Sequence, residues 1–269
     1  MDGDTEFLWT SAARSDVGPV RSRNEDACLA QPQSGLWAVA DGMGGHAFGD
    51  LASGAVVDAL ASLPPADTLD ELVSLARARL AEVNETLRIE ASTRQVPVIG
   101  STVAALLACG HELACLWAGD SRIYLLRQGR LQQLTRDHSR VEDLKARGDM
   151  AAASVSPNMI TRAVGAADSI EFEVATLDAR DGDIFLLCSD GLSTPVEEQA
   201  IQAALAPGDC AQAADQLVAL GLAGGGRDNI TVVVVDAVSV ASRPGVQMRA
   251  DDDIDENTRP RAAAAGGMS

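Results

Sequence analysis

The order of apolar runs and helical stripes predicts an α+β sandwich. Three observations carry this. Short apolar runs bounded by glycine, the mark of buried strands, recur from residues 7–15 to 230–235. Stretches with helical spacing come in groups, at 50–63 and 68–92 and again at 195–205 and 210–221, rather than between every two strands. Hydrophobic residues make up 46% of the 269 residues and aromatics only 3%, so a sizeable core must be filled by Ala, Val, Leu and Ile.

Taken in order, 7–15 reads as a first strand closed by Asp16-Val17-Gly18-Pro19. The polar segment 20–26 runs straight into a short strand, 27–30. The run 36–40 is a further strand, ending at Asp41 and the cluster Gly42-Met43-Gly44-Gly45. Leu51, Ala55, Val56, Ala59 and Leu60 mark a helix over 50–63, which Pro64-Pro65 stops. Asp67 or Thr68 caps a second helix that reaches about Ser92. The runs 100–109 and 112–118 form a hairpin across Gly110-His111, and 123–127 and 131–135 form another across Gln128-Gly129. The charged stretch 137–150 reads as a helix, and the small, polar 151–158 as a mobile loop. Strands at 172–176 and 184–188, helices at 195–205 and 210–221, a Gly224-Gly225-Gly226 loop and a last strand at 230–235 complete the body. An acidic run from Asp251 to Glu256 and the low-complexity 262–267 follow, so 238–269 is expected to be a disordered tail behind a domain over 7–237.

The net charge of −18 argues against a nucleic-acid surface, which needs a basic stripe, and against attraction to anionic lipid. No run of about 18 apolar residues indicates a membrane span. Residues 1–6 lack a basic and apolar leader, so a cytoplasmic location follows by default. The five cysteines (Cys28, Cys109, Cys115, Cys188, Cys210) include no CxxC pair, and reduced core thiols are expected rather than structural zinc.

Taken alone, Asp41 before its glycines is a turn sequence as readily as a binding site. Recurrence changes the balance. Asp41, Asp120, Asp190 and Asp228 each stand at a strand edge beside Gly, Ser or Asn, and Glu25-Asp26 stand just before a strand. If these strands lie side by side, their ends gather the carboxylates in one cleft, where like charges cannot all stay ionised without cations. Oxygen-only ligation suits Mg²⁺ or Mn²⁺ at about 2.0–2.2 Å, whereas zinc favours His or Cys, and the chain has only three histidines. Two such ions about 3.5–4 Å apart lower the pKa of a water held between them and supply hydroxide for in-line attack on phosphorus.

Arg21-x-x-Asn24-Glu25-Asp26, Asp41-Gly42-Met43-Gly44-Gly45, Gly100-Ser101-Thr102, Gly119-Asp120-Ser121-Arg122, Ser189-Asp190-Gly191 and Asp228-Asn229 occur in that order. The ordered set resembles that of the metal-dependent protein phosphatases (type 2C), in particular their compact bacterial members, over residues 7–237. The resemblance implies a sandwich of two mainly antiparallel sheets flanked by pairs of α-helices, with the metal centre at one end. It implies hydrolysis of phosphoserine and phosphothreonine by a water activated between two divalent ions, Mn²⁺ or Mg²⁺, without a covalent phosphoenzyme. Position by position, it implies that Asp41 bridges the two ions and that the carbonyl of Gly42 binds one of them. Asp190 and Asp228 complete the first ion's sphere, and Glu25 supports the second, directly or through water. Asp26 holds a metal-bound water, and Asp120 with Asp190 makes a third, weaker metal site. Arg21 grips the substrate phosphate as a bidentate fork. Phosphoprotein substrates, a partner Ser/Thr kinase and a monomeric state also follow from the family.

Read by themselves, Asp26 fits a turn cap, Asp120 a hairpin turn and Arg21 a surface ion pair of small value. Ser101, Thr102 and Ser121 read as structural hydroxyls. Some eukaryotic members carry DGHGG, whose His is the proposed general acid. Here Met43 holds that position and donates no proton, which leaves a metal-bound water or a group such as His46 as the source. His138 opens the stretch that corresponds to the family's flap, 137–158, and reads as structural or substrate-side; His111 reads as an exposed turn residue. Cys115 and Arg122 are one residue too far apart for a CxxxxxR phosphate cradle, so no thiol nucleophile is expected. The competing class is a catalytically silent phosphoprotein-binding module, against which the full set of carboxylates weighs. Phosphatases dedicated to one regulator usually bring a sensor domain. Regulation of a secretion apparatus and of cell-envelope growth both fit.

Overall fold

The computed structural model describes residues 6–44, 48–148 and 159–242. Two antiparallel sheets pack face to face, with helices on both outer faces. The first has the order β1 (Phe7–Asp16), β11 (Ile230–Ser239), β10 (Asp183–Cys188), β7 (Arg122–Arg127), β8 (Arg130–Gln133). The second has the order β2 (Asp26–Gln31), β3 (Leu36–Met43), β5 (Val103–Cys109), β6 (Glu112–Ala118), β9 (Glu173–Asp178), with the short β4 (Gly100–Ser101) on the end of β3. Helices α1 (Gly49–Ala61) and α2 (Leu69–Arg94) cover the second sheet. Helices α5 (Glu198–Leu205) and α6 (Cys210–Ala223) cover the first. Two short helices, α3 (Arg140–Ala146) and α4 (Asp190–Ser193), lie outside these pairs. The expected α+β sandwich flanked by helix pairs is thus the observed fold.

Period-two alternation explains why the strands are apolar on both faces. On β3, Trp37 and Val39 point into the layer between the sheets, while Ala38 and Ala40 meet α1 and α2. On β10 and β11, Phe185, Leu187, Val233 and Val235 face that same layer, and Leu186, Val232 and Val234 meet α5 and α6. Trp9 tilts against the fully buried Trp37 with ring centroids 5.4 Å apart. The second hairpin turns at Gln128 (φ 52°) and Gly129 (φ 73°), the left-handed pair that suits the strand twist. Among the described residues, no helix is long and apolar enough to cross a membrane.

Several elements depart from the sequence expectation. Strand β3 does not stop at Ala40 but runs through Asp41 to Met43, because Thr102 accepts the N–H of Asp41 on Oγ1 and donates its own N–H to the carbonyl of Asp41, both at 2.9 Å. The helix expected at 195–205 is shorter. Glu197 is extended (φ −67°, ψ 144°), so α5 starts at Glu198, and Pro195 falls in the turn after α4. The helix expected over 137–150 is the shorter α3, capped by Ser139, whose hydroxyl accepts the N–H of Glu142 at 3.2 Å. Thr68 is the cap of α2. Strand β11 continues to Ser239 because β1 pairs with it along its whole length, Phe7 opposite Ser239. His46, the loop 151–158 and the tail from 243 onward lie outside the described residues.

Asp183, 1% exposed, takes two bonds from Arg127 (Nε 2.7 Å, Nη2 2.6 Å) and one from the N–H of Arg180 (2.7 Å). Arg127→Met leaves this buried carboxylate without its counter-charge and is expected to cost about 3 kcal/mol. A lowered urea midpoint would show it. Activity per folded molecule should not change, since the pair sits at the end of β10 and β7 away from Asp190.

Candidate metal centre and active site

The site forms where β2, β3, β11 and the β10–α4 junction end together. Pairing of β2 with β3 sets Asp26 opposite Asp41. Asp190 opens α4, and Asp228 stands two residues before β11. Asp120 lies in the bend between β6 and β7. A cavity of about 300 Å³ is lined by Arg21, Glu25, Asp41, Gly42, Met43, Thr102, Asp120, Ile160, Asp190, Asp228 and Asn229, among others. Seven of the eight residues expected from the sequence therefore share one cavity. The eighth, Asp26, is not in its lining but sits behind Asp41.

Backbone contacts hold this end together. Asn229 spans it: Oδ1 accepts the N–H of Glu25 at 2.8 Å, and Nδ2 donates to the carbonyls of Val17 and Arg23, each at 2.9 Å. Its own N–H meets Oδ1 of Asp228 at 2.9 Å. Behind the cavity, Ser189 donates from Oγ to Oδ2 of Asp26 at 2.8 Å and accepts the N–H of Thr231 at 3.0 Å. Thr102 and Ser121 join their hydroxyls at 2.7 Å, and Ser101 donates to the carbonyl of Asp41 at 3.0 Å, so all three hydroxyls are structural. Gly49 is required by crowding. A Cβ there would stand 2.6 Å from Oε1 of Glu25 and 2.7 Å from the carbonyl oxygen of Gly42. Those two oxygens thus converge on one small space. The roles of Asn229 and Gly49 were missed from the sequence. Asn229 sits in the Asp228-Asn229 motif, which was a signal, but Gly49 carried none.

The electrostatics are those of crowded, buried acids. Burial, then the neighbouring charges of Asp26, Asp190, Asp120 and Asp228, holds Asp41 well above the ordinary carboxylate range. Burial also pushes Asp26 up to about 7, against hydrogen bonds from Thr231 and Ser189 that favour its ionised form. Asp120 rises to about 7 through burial and then the charge of Asp190, and Asp190 is raised through burial and then Asp228. Arg21 donates from Nη2 to Oδ2 of Asp228 at 2.7 Å, and this bond raises its pKa further. Oε1 of Glu25 and Oδ1 of Asp190 are buried without a hydrogen-bond partner. Among the described residues, no three Asp, Glu, His or Cys side chains close around a single point as a finished ligand set. The carboxylates line the cavity instead, and Asp228 is engaged by Arg21. Orphaned acid oxygens, raised proton affinities and an oxygen-only donor set fit hard divalent cations. Met43 lines the cavity and has no proton to give.

Residues 20–218 match the family model for protein phosphatase 2C, well over half of the chain. The chain belongs to that family, whose named relatives are serine/threonine protein phosphatases. It is 39% identical over 264 residues to the serine/threonine protein phosphatase PstP of Mycobacterium tuberculosis, which covers 94% of this chain but 50% of that protein. The chain thus spans about half the length of that curated relative. The serine/threonine phosphatase stp of Listeria monocytogenes is 32% identical over 236 residues, 83% of this chain and 94% of the relative. Among solved structures, PppA, described as a regulatory component of the T6SS in Pseudomonas aeruginosa, superposes with a TM-score of 0.80. It has 46% identity and covers 86% of this chain and 98% of its own. The PstP catalytic domain in complex with two manganese ions gives a TM-score of 0.76 and 40% identity, over 87% of this chain and all of that one.

The raised acids make a pH prediction for protein stripped with EDTA. A carboxyl with an ordinary pKa of 3.8 that sits near 7 in the fold binds its proton more tightly there than in the unfolded chain. Its contribution is therefore fully present below about pH 4 and is lost as pH rises through 7. Asp26→Asn removes that loss. The melting temperature of the stripped variant should exceed wild type at pH 8 and converge with it towards pH 4. Equal melting curves at pH 8 would contradict the assignment.

Proposed function

We propose that this chain hydrolyses phosphoserine and phosphothreonine in proteins, using Mn²⁺ or Mg²⁺ held at the carboxylate cavity. The supporting observation is the pair of buried, unpartnered acid oxygens of Glu25 and Asp190 beside Asp41, Asp228 and Arg21 in one cavity. Asp41, Asp190, Asp228, Glu25 and the carbonyl of Gly42 are the groups that would hold two ions, with Asp120 and Asp190 for a third. Bound there, such ions supply an activated water and neutralise the developing charge on phosphate.

The chain's own residues do the rest. Arg21 leaves Asp228 and turns its fork to the phosphate oxygens, where a guanidinium offers two parallel donors. Asp26, fixed behind Asp41 by Ser189 and Thr231, would hold a metal-bound water in place. Thr102 holds the backbone of Asp41 from both sides, so its carboxylate does not swing. Asn229 ties Glu25 to Asp228 across the cavity mouth. The proton for the leaving hydroxyl comes from a group other than Met43. A Ser/Thr kinase would supply the phosphorylated substrates, and the reading carries a cytoplasmic, monomeric enzyme with it.

The test is hydrolysis of an aryl phosphate and of a phosphothreonine peptide with Mn²⁺, Mg²⁺ or EDTA. Activity should require metal, and Asp41→Asn and Asp190→Ala should each lower kcat by about 100-fold or more in folded protein. Arg21→Ala should lower kcat/KM by roughly 10- to 100-fold, the loss of a charge-assisted contact. Absence of turnover with any metal, in folded protein, would shift the reading to a silent phosphoprotein-binding module.

A further inference from the structure

His138 has no part in the chemistry above, yet it is 5% exposed and lies beside the cavity wall. Its ring stacks on the indole of Trp117, with centroids 6.2 Å apart and planes 13° from parallel. Nδ1 accepts the N–H of Gly119 at 3.1 Å, and the backbone N–H of His138 donates to the carbonyl of Gly119 at 2.9 Å. The two residues therefore grip each other twice, once through the backbone and once through the ring. An imidazole nitrogen that accepts a hydrogen bond carries no proton, so the ring proton is on Nε2. Nε2 lies 3.0 Å from Oε1 of Glu173 on β9, the carboxylate that selects this tautomer. Arg162 Nη1 stands 3.3 Å from the same oxygen and 3.4 Å from Nε2. Burial and, more weakly, Arg162 lower the imidazole pKa, and Glu173 opposes them.

Gly119 has φ +118°, and a Cβ there would collide with Thr102 at 2.6 Å. Residue 119 thus has no side chain with which to fix its own turn, and the fixing must come from outside. Asp120 follows directly and lines the cavity. On its other side, the carbonyl of His138 accepts the N–H of Thr161 at 2.7 Å, and Arg140 donates its N–H to Met159 at 2.8 Å. Those bonds tie both ends of the flap together beside Ile160, itself a cavity residue.

We infer that His138 is a positioning residue: its ring, oriented by Glu173, fixes the Gly119–Asp120 turn and so couples the base of the flap to the acid wall of the cavity. The kinetic consequence rests on the phosphatase reading; the positioning itself does not.

Two amides separate the ring's two functions. In His138→Asn, Oδ1 falls near the place of Nδ1 and can accept the Gly119 N–H. In His138→Gln, the amide reaches the place of Nε2, faces Glu173 and leaves the Gly119 N–H unpaired. Amide hydrogen exchange at Gly119 and Asp120 is read on the full chain without substrate. Turnover of a phosphothreonine peptide is read at matched fractions of the melting temperature. Exchange at Gly119 should be at least about tenfold faster in H138Q than in H138N, which should stay near wild type. The kcat should fall about tenfold in H138Q with KM little changed, and H138N should recover most of the loss. If H138Q does not fold, Glu173→Ala should accelerate Gly119 exchange in the same direction. Equal exchange in both amide variants, or equal loss of kcat in both at equal stability, would overturn the inference. Absence of turnover in the wild type would count against the phosphatase reading, and the exchange result would still decide the positioning.

Discussion

The acid-lined end of the molecule depends on an enforced crowding of acids. Glu25, Asp26, Asp41, Asp120, Asp190 and Asp228 arrive from separate stretches of chain. The register of β2 against β3, the end of β10 and the start of β11 leave them no room to spread. Buried like charges raise one another's proton affinity, and Asp41 is held well above the ordinary carboxylate range by its burial first and then by four neighbouring acids. The local architecture answers that strain. Hydroxyls from Ser189 and Thr231 receive Asp26, a guanidinium meets Asp228, and backbone groups hold Asp41 in an unbroken strand. Two acid oxygens remain unanswered, and those are the ones a cation would find.

The layered core makes this crowding tolerable. Trp37, Phe185 and the valines of β11 lock the two sheets together within a few residues of the acids. The strand ends are therefore anchored by close packing, which resists the repulsion at their tips. Small residues on the outer face of β3, Ala38 and Ala40, sit under α1 and α2. Gly49 at the start of α1 then lets the helix approach the oxygens of Glu25 and Gly42.

Much of this was legible in the sequence, and the reasons differ by element. Strands buried on both faces are continuous apolar runs, so β5, β6, β10 and β11 announced themselves. The end of β3 did not. A polar residue looks like a boundary in one dimension, while Asp41 stays in the strand because of Thr102, a tertiary partner 61 positions away. Pro195 suggested a helix start, yet the extended Glu197 displaced it. The acids were found through their repeated context and through an ordered motif set. What joins them was hidden: Asn229 reaches a backbone amide 204 positions distant, and no local pattern encodes such a meeting. Gly49 is likewise defined only by what would collide with a methyl group. His138 was placed at the base of the flap, but its grip on Gly119 was visible only once the two were neighbours in space.

The position of β11 has a consequence for biogenesis. Among the described strands it is the last in chain order, yet it lies inside its sheet, between β1, the first of them, and β10. A nascent chain lacking it would leave two strand edges open, and Asp228 and Asn229 would not yet have joined the other acids. Closing that gap brings together residues at nearly the greatest separation in the domain, which favours slow, late closure over early local folding. The acid-lined cavity would therefore be completed only when β11 docks, so chains truncated before it would lack Asp228 and Asn229 as well as the strand.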